Sequence, residues 1–193
     1  MRMFVAVDVS LDTRIRAKKL VERLRKAGVE ARWTEEEHLH ITLKFLGEVS
    51  SNRSMEICRA VERAAGRCEP FSFSCLGAGG YPNSERPRVL WMGVSDGREE
   101  FRSLQNDVEE ELADIGFRPE SRTFTPHLSI GRMRRARDEV SNVGEILAEL
   151  SDFDGGDTLV DELVLYASEL DRRHGPSYSV LGRVDIRGDE ATS

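Results

Sequence analysis

The sequence predicts an α+β fold in which two pseudo-symmetric halves, each of the order β-α-β-β-α-β, place antiparallel sheets on either side of a central cleft. One observation behind this prediction is that strand-like and helix-like apolar spacings alternate in the same order twice along the chain. The other is a short motif, His-apolar-hydroxyl-apolar, that occurs at 40–43 and again 87 residues later at 127–130. A shared order of elements and a shared motif at one offset indicate an internal repeat.

The first half is predicted to span about residues 1–76. It begins with a Val-rich strand at 3–9, after which Ser10 and Asp12 can cap a helix that Gly28 ends. The apolar positions of this helix fall at helical spacing: Ala17, Leu20, Val21 and Leu24. Beyond it the sequence predicts, in order, a short strand at 29–33, the motif strand at 39–46, a helix that opens near Ser50 and buries Ile57, Val61 and Ala64, and a strand at 71–75.

The second half is predicted to repeat this order over about residues 88–168, after a loop of turn-forming residues at 77–83. Its predicted elements are a strand at 88–94, a helix carrying Phe101, Leu104, Val108 and Leu112, an extended piece at 122–124, the motif strand from His127, a helix carrying Val140, Val143, Ile146, Leu147 and Leu150, and a strand at 159–168. A final strand at 178–186 and a polar tail at 187–193 complete what we expect to be one bilobal domain, residues 1–193.

Composition and charge narrow the class of protein. The chain has 193 residues, 39% of them hydrophobic and 33% charged, which suits one globular unit with its own core. A net charge of -7 argues against a protein that coats nucleic acid through a broadly basic surface. The three cysteines have no C-x-x-C spacing, and no apolar run is long enough to span a bilayer. These features predict a cytoplasmic protein with reduced thiols and no membrane association.

The repeated motif carries the chemistry. Alternation along a strand puts His40 and Thr42 on one face, and His127 and Ser129 on one face of the second motif strand. A single His-x-Thr on a strand is short enough to occur by chance, but two of the four histidines in this chain occupy equivalent positions of the repeat. Two imidazoles with ordinary pKa values near ~6.5 on opposite sides of a phosphorus can act as general base and general acid. The hydroxyls can donate hydrogen bonds to the non-bridging oxygens.

At this point the sequence resembles a known family, the two-histidine phosphoesterases, and among them the RNA 2′,3′-cyclic phosphodiesterases that are also called 2′-5′ RNA ligases. The resemblance covers nearly the whole chain. Besides the two motifs it includes the segments 44–49 (KFLGEV), 88–91 (RVLW), 124–126 (FTP), 131–132 (GR) and 165–168 (LYAS). Ser129 stands where this family more usually has Thr, which keeps the hydroxyl but loosens its rotamer.

This resemblance implies hydrolysis of an RNA 2′,3′-cyclic phosphate to a 2′-phosphate without a metal or other cofactor. It assigns His40 as the proton donor and His127 as the proton acceptor, and it makes Arg132 a ligand of the substrate phosphate. Strict alternation would put Arg132 on the wrong face of its strand, so we expect a bulge or strand end at Gly131. Arg134 and Arg135, in the basic run that follows, are candidates for binding further phosphates. The expected partners are RNA 3′ ends, such as those of tRNA halves, bound by a monomer.

Several alternatives remain open at this stage. The cleft could belong to a non-catalytic RNA-end-binding module, or to a relative that acts on small cyclic or 2′-5′-linked nucleotides. A metallohydrolase built on His38 and His40, or on His40 and His127, lacks an obvious set of further ligands in the sequence. His38 receives no role. Four aromatic residues are interpreted as core rather than as base-stacking platforms: Trp33, Phe45, Trp91 and Tyr166.

Overall fold

The computed structural model describes residues 1–133, 142–171 and 175–187. The strands and helices of these residues follow in chain order as β1 (Arg2–Asp8), α1 (Leu11–Lys26), β2 (Ala31–Trp33), β3 (His40–Glu48), α2 (Ser54–Ala65), β4 (Phe71–Tyr81), β5 (Val89–Val94), α3 (Arg98–Asp114), β6 (His127–Met133), α4 (Val143–Glu149), β7 (Asp154–Val160), β8 (Glu162–Asp171) and β9 (Gly175–Asp185). Val140 lies outside the described residues.

These strands form two antiparallel sheets, which confirms the predicted α+β class. The first sheet has the order β3-β1-β8-β9 and the second has the order β2-β6-β5-β4-β7. Each motif strand therefore neighbours the first strand of its own half, β3 beside β1 and β6 beside β5. The sheets do not divide at the midpoint of the chain, however. Both β2 and β4 come from the first half and pair within the second sheet, so the chain crosses between the sheets several times.

Three local predictions differ from the structure. The predicted loop at 77–83 is largely the end of β4, and its glycines serve packing, because a Cβ on Gly79 would lie 2.2 Å from Cζ2 of Trp91. The predicted strand at 159–168 is two strands, β7 and β8, which belong to different sheets. Residues 122–124 form no strand. Glycine-rich composition and continuous apolar runs do not reveal which sheet a strand joins.

The main core lies between the sheets and the helices. Its largest fully buried side chains come from both halves: Met3, Leu20, Leu24, Ile41, Ile57, Phe73, Leu90, Met92, Phe101, Leu104, Leu112 and Leu128. A second, smaller cluster on the other face of the first sheet consists of Phe4, Ala6, Val164 and Tyr166, with Tyr178 packed against it. In the described residues no helix is both long and apolar enough to cross a bilayer.

A bulge in β3 ties the two halves together. Thr42 pairs with Ala6 and Lys44 pairs with Val5, so Leu43 is an extra residue and both Leu43 and Lys44 are buried. The Lys44 ammonium donates to Oε2 of Glu109 on α3 at 2.6 Å and to the Arg118 carbonyl at 2.9 Å. One face of β3 thus presents His40 and Thr42, while the bulge turns the lysine towards a carboxylate of the second half.

Candidate active site

His40 lies on the first sheet and packs against a cluster of aromatic rings. Its ring stacks on Phe4 with the centroids 4.8 Å apart, and the centroid of Tyr166 is 5.7 Å away. Tyr178 meets His40 edge-on at 5.5 Å. The backbone of His38, two residues earlier, favours the protonated form of the His40 ring. The imidazole is therefore oriented by packing against three aromatic rings.

Asp8 of β1 is the residue directly opposite His40 in the ladder between β1 and β3. Its Oδ1 accepts a hydrogen bond of 2.6 Å from the Tyr166 hydroxyl, and Nη1 of Arg183 lies 3.5 Å from its Oδ2. The carboxylate is thus fixed beside the histidine by two residues of the strands β8 and β9. Its negative charge favours the protonated form of His40.

His127 occupies the corresponding place on the second sheet. Its Nδ1 lies 2.8 Å from the carbonyl oxygen of Thr125, which can only accept, so Nδ1 carries the proton and the lone pair is on Nε2. Tyr81 of β4 meets the ring edge-on at 5.0 Å. His127 is therefore hydrogen-bonded to the backbone two residues before it. In His127 this arrangement presents Nε2 as a proton acceptor.

A bulge in β6 brings a guanidinium to the face of His127. Ser129 pairs with Trp91 and Gly131 pairs with Leu90 of β5, so Ile130 is the extra residue. The next pair joins Arg132 to Val89, and alternation then puts Arg132 on the same face as Ser129 and His127. The structure therefore has the irregularity that the sequence predicted next to Gly131. Without it, Arg132 would point into the core.

The two motif strands are neighbours across the cleft, since Cα atoms of β3 and β6 approach within 8 Å. Tyr178 provides a second connection between the sheets. Its ring contacts His40. Burial raises the pKa of its hydroxyl, and the positive charges of Arg132 and Arg32, both on the second sheet, oppose this rise. Tyr178 thus contacts His40 on the first sheet and is under the influence of the positive charges of Arg32 and Arg132 on the second.

Burial lowers the pKa of both histidines. For His40 the value falls to about 4, because loss of hydration outweighs the favourable effects of the His38 backbone and of the charge of Asp8. The pKa of His127 is lowered for the same reason, and its hydrogen bond to Thr125 offsets part of the effect. Both imidazoles are consequently neutral at pH 7 when the cleft contains no anion.

Several residues at this site were missed in the sequence or assigned only to the core. Tyr166 is buried, as expected for core, but it also belongs to the ring cluster under His40. Trp91 lies on the face of His127, beside Tyr81 at 5.4 Å, and its Nε1 is buried without a hydrogen-bond partner in the described residues. Phe4 and Tyr178 had no motif to mark them. Arg134 and Arg135 lie outside the described residues, and the His38 ring meets Tyr178 edge-on at 4.8 Å.

The described residues offer no ligand set for the metallohydrolase alternative. In residues 1–133, 142–171 and 175–187 no group of three or more His, Cys, Asp or Glu side chains is placed to hold a metal ion.

Comparison with known proteins identifies the family. A sequence model described as the 2′-5′ RNA ligase superfamily matches residues 11–172, which include both histidine motifs. The chain belongs to this superfamily. The match confirms the predicted resemblance to the two-histidine phosphoesterases and, together with the relatives below, the predicted enzyme class of a phosphodiesterase.

Named relatives of the 2′-5′ RNA ligase superfamily align over almost the full chain. An RNA 2′,3′-cyclic phosphodiesterase of Methanothermobacter thermautotrophicus is 36% identical over 92% of this chain and 95% of its own length. One of Thermotoga maritima is 35% identical over 97% of each chain. Among solved structures of the superfamily, Escherichia coli LigT complexed with 3′-AMP has a TM-score of 0.73 at 25% identity, covering 96% of this chain and 97% of its own. The Thermus thermophilus protein TT0787 shares the fold with a TM-score of 0.80 at 24% identity, covering 98% and 100%.

Proposed function

We propose that this protein hydrolyses RNA 2′,3′-cyclic phosphate ends to 2′-phosphomonoesters by metal-free acid–base catalysis with two histidines. The observation that supports this most directly is the equivalent placement of His40 and His127. Each is on a motif strand, each shares its face with the hydroxyl residue two positions on, and the two strands are neighbours in opposite sheets. The relatives from Methanothermobacter thermautotrophicus and Thermotoga maritima, which are RNA 2′,3′-cyclic phosphodiesterases, support the same substrate class.

In the proposed reaction a water molecule attacks the phosphorus in line with the bond to the 3′-oxygen. Nε2 of His127 accepts the proton of this water, because its Nδ1 is already committed to Thr125. As the bond from phosphorus to the 3′-oxygen breaks, protonated His40 donates a proton to that oxygen. The products are a 3′-hydroxyl and a 2′-phosphate. A 5′-hydroxyl in place of water would give a 2′-5′ linkage by the same steps.

Thr42, Ser129 and Arg132 are proposed to bind the non-bridging oxygens of this phosphate. The two hydroxyl residues lie on the faces that carry His40 and His127, and the bulge at Ile130 adds the guanidinium to the second of these faces. Donors fixed before the reaction stabilise the charge that develops on a pentavalent phosphorane. A guanidinium in addition forms paired hydrogen bonds to phosphate.

The protonation state of His40 in the free site follows from its burial. A pKa of about 4 leaves the free site with a neutral His40 at pH 7, yet the proposed donor has to be protonated. A bound phosphate anion next to the imidazole raises this pKa, because an opposite charge favours the protonated form. Binding of the substrate anion is therefore proposed to be accompanied by uptake of one proton from solvent onto His40.

The proposed function is tested with a short RNA that ends in a 2′,3′-cyclic phosphate. We expect a product that carries only a 2′-phosphate, with turnover unchanged by EDTA. A 3′-phosphate product, or turnover that is lost with EDTA and restored by zinc, manganese or magnesium, would contradict the mechanism. The same assay with 2′-5′-linked dinucleotides and small cyclic nucleotides separates the alternative substrates, since RNA should give the highest kcat/KM. The RNA ends of tRNA halves are natural candidates.

Removal of either hydroxyl should slow this reaction while leaving the fold intact. We expect Thr42→Val and Ser129→Ala each to lower kcat by roughly 10², the effect of removing one transition-state donor. Both side chains are only half-buried, and both substitutions keep or reduce side-chain volume, so thermal stability should change little. Ser129→Thr is the matched control and should retain activity. Unchanged rates in Thr42→Val and Ser129→Ala would show that these residues only shape their strands.

A further inference from the structure

Two arginines of the second sheet are direct cross-strand partners. Arg32 of β2 pairs with Arg132 of β6 in the antiparallel ladder. Such partners project from the same face with Cβ atoms about 5 Å apart, and like charges in this arrangement repel each other. Both side chains are exposed, whereas the neighbouring residue Ala31 faces the core. The two like charges therefore lie at the edge of the second sheet, where Arg32 belongs to the three-residue strand β2.

The described residues supply no carboxylate to relieve it. The chain has 35 acidic and 28 basic residues, and several other arginines have carboxylate partners, including Arg16, Arg63 and Arg67. Within residues 1–133, 142–171 and 175–187, by contrast, neither Arg32 nor Arg132 forms an ion pair. A pair of unmatched guanidinium groups on one exposed face is a site for an anion.

The position of the pair relates it to the cleft. The bulge at Ile130 puts Arg132 on the face of His127, and Arg32 therefore shares this face as its cross-strand partner. The charges of both arginines also oppose the rise that burial causes in the pKa of the Tyr178 hydroxyl. The ring of Tyr178 contacts His40. Arg32 thus lies beside the reacting centre, one strand further out than Arg132.

We propose that Arg32 binds the phosphate that links the terminal nucleotide of the substrate to the nucleotide before it, while Arg132 serves the reacting phosphate. Neighbouring phosphates of one strand then relieve the repulsion between neighbouring arginines. The inference rests on the proposed function and deepens it, because a residue of this kind makes the enzyme prefer an RNA end to a free cyclic nucleotide. No such preference follows from the two histidine motifs, which are proposed to serve only the reacting phosphate.

The test compares adenosine 2′,3′-cyclic phosphate, which has one phosphate, with a dinucleotide that ends in the same group and has two. We expect Arg32→Gln to lower kcat/KM for the dinucleotide by roughly 10-fold, the effect of losing a hydrogen bond between charged groups, and to leave the mononucleotide unaffected. Arg32→Lys should lower kcat/KM for the dinucleotide by a smaller factor, because lysine keeps the positive charge but cannot form the paired hydrogen bonds of a guanidinium. Arg59→Gln on the exposed side of α2 is the matched control and should change neither substrate.

Salt dependence gives a second readout. For binding of a 2′-phosphorylated dinucleotide, Arg32→Gln should reduce the slope of log K against log salt concentration by about 0.7, the value for one phosphate contact on a single strand. Equal losses on both substrates would place Arg32 at the reacting phosphate and overturn the inference, as would no loss on either.

Failure of the proposed function gives a different result, namely no turnover of either cyclic phosphate by the wild-type protein. The inference is then decided by binding alone. Weaker binding of the dinucleotide 2′-phosphate but not of adenosine 2′-phosphate in Arg32→Gln would support it, and equal binding of both by variant and wild type would overturn it.

Discussion

His127→Ala and His40→Ala are each expected to lower kcat/KM for an RNA 2′,3′-cyclic phosphate by about 10² to 10⁴, the range for loss of a general base or acid. His127 is expected to act as the base because its Nδ1–H is bonded to Thr125, which leaves Nε2 to take a proton. His40 is expected to act as the acid. His→Asn at each position keeps a donor for the backbone and is the variant to use if the alanine forms are unstable.

A substrate with an acidic leaving group separates the two roles. In a 3′-deoxynucleoside 2′-(4-nitrophenyl phosphate), nitrophenolate departs without protonation, so general acid catalysis matters least. This substrate should restore much of the activity of His40→Ala and little of that of His127→Ala. Rescue of His127→Ala instead would reverse the assignment, and rescue of neither would mean that the histidines bind phosphate without moving protons.

The pH dependence of the wild-type enzyme follows from the same two groups. In the proposed mechanism activity requires neutral His127, which gives a limb that rises with pH, and protonated His40, which gives a limb that falls. Burial lowers the pKa of His40 to about 4 and lowers that of His127, so both limbs of kcat/KM should lie below pH 6.5. Because a bound anion raises the pKa of His40, the falling limb of kcat should lie at higher pH than that of kcat/KM. Coincident limbs would contradict this account.

Lys44→Met is expected to destabilise the whole protein by about 3 to 5 kcal/mol, the usual cost of breaking a buried ion pair from one side. The Lys44 ammonium lies 2.6 Å from Glu109, and the side chains are only 1% and 13% exposed. Glu109 also accepts from Gln105 and from the backbone of Glu120. The variant leaves this carboxylate without its cation beside the core. Chemical denaturation measures the loss as a lower free energy of unfolding.

The double variant Lys44→Met with Glu109→Leu separates an unpaired charge from lost packing. Replacing both members of a buried pair by apolar residues is often close to neutral, so the double variant should recover most of the stability. Arg102→Met is the matched surface control, because its pair with Glu99 joins side chains that are 54% and 82% exposed and should contribute less than about 1 kcal/mol. If Lys44→Met lowered the free energy of unfolding as little as Arg102→Met, the ion pair of Lys44 and Glu109 would not hold the halves together.

The arrangement of the motif side chains was predictable from the sequence because it depends on local geometry. A strand alternates its side chains whatever it pairs with, so His40 and Thr42 had to share a face, and so did His127 and Ser129. The same rule predicted an irregularity before Arg132, since alternation alone would have turned this residue into the core. The helices were likewise recognisable from their apolar spacing and caps, as in α1, where the Ser10 hydroxyl accepts from the backbone of Thr13.

Other features depend on pairing between distant parts of the chain. No motif shows that Phe4, Tyr166 and Tyr178 pack around His40, because their strands meet only in the assembled first sheet. Glycine clusters signal turns in a sequence, yet those of β4 make room for Trp91. The sequence also suggested a clean division into halves, whereas β2 and β4 pair in the second sheet.

The amino-acid sequence by itself determined the paired histidine motifs, the α+β class and the family, since each depends on residue type and on spacing along one strand or helix. Only the tertiary structure decided that Arg32 stands opposite Arg132, that Asp8 lies opposite His40, and that burial lowers the pKa of both histidines. Register between strands far apart in the chain is chosen by how the sheets bury their apolar faces together. Desolvation likewise depends on every neighbour that the fold brings to a group, which no local pattern records.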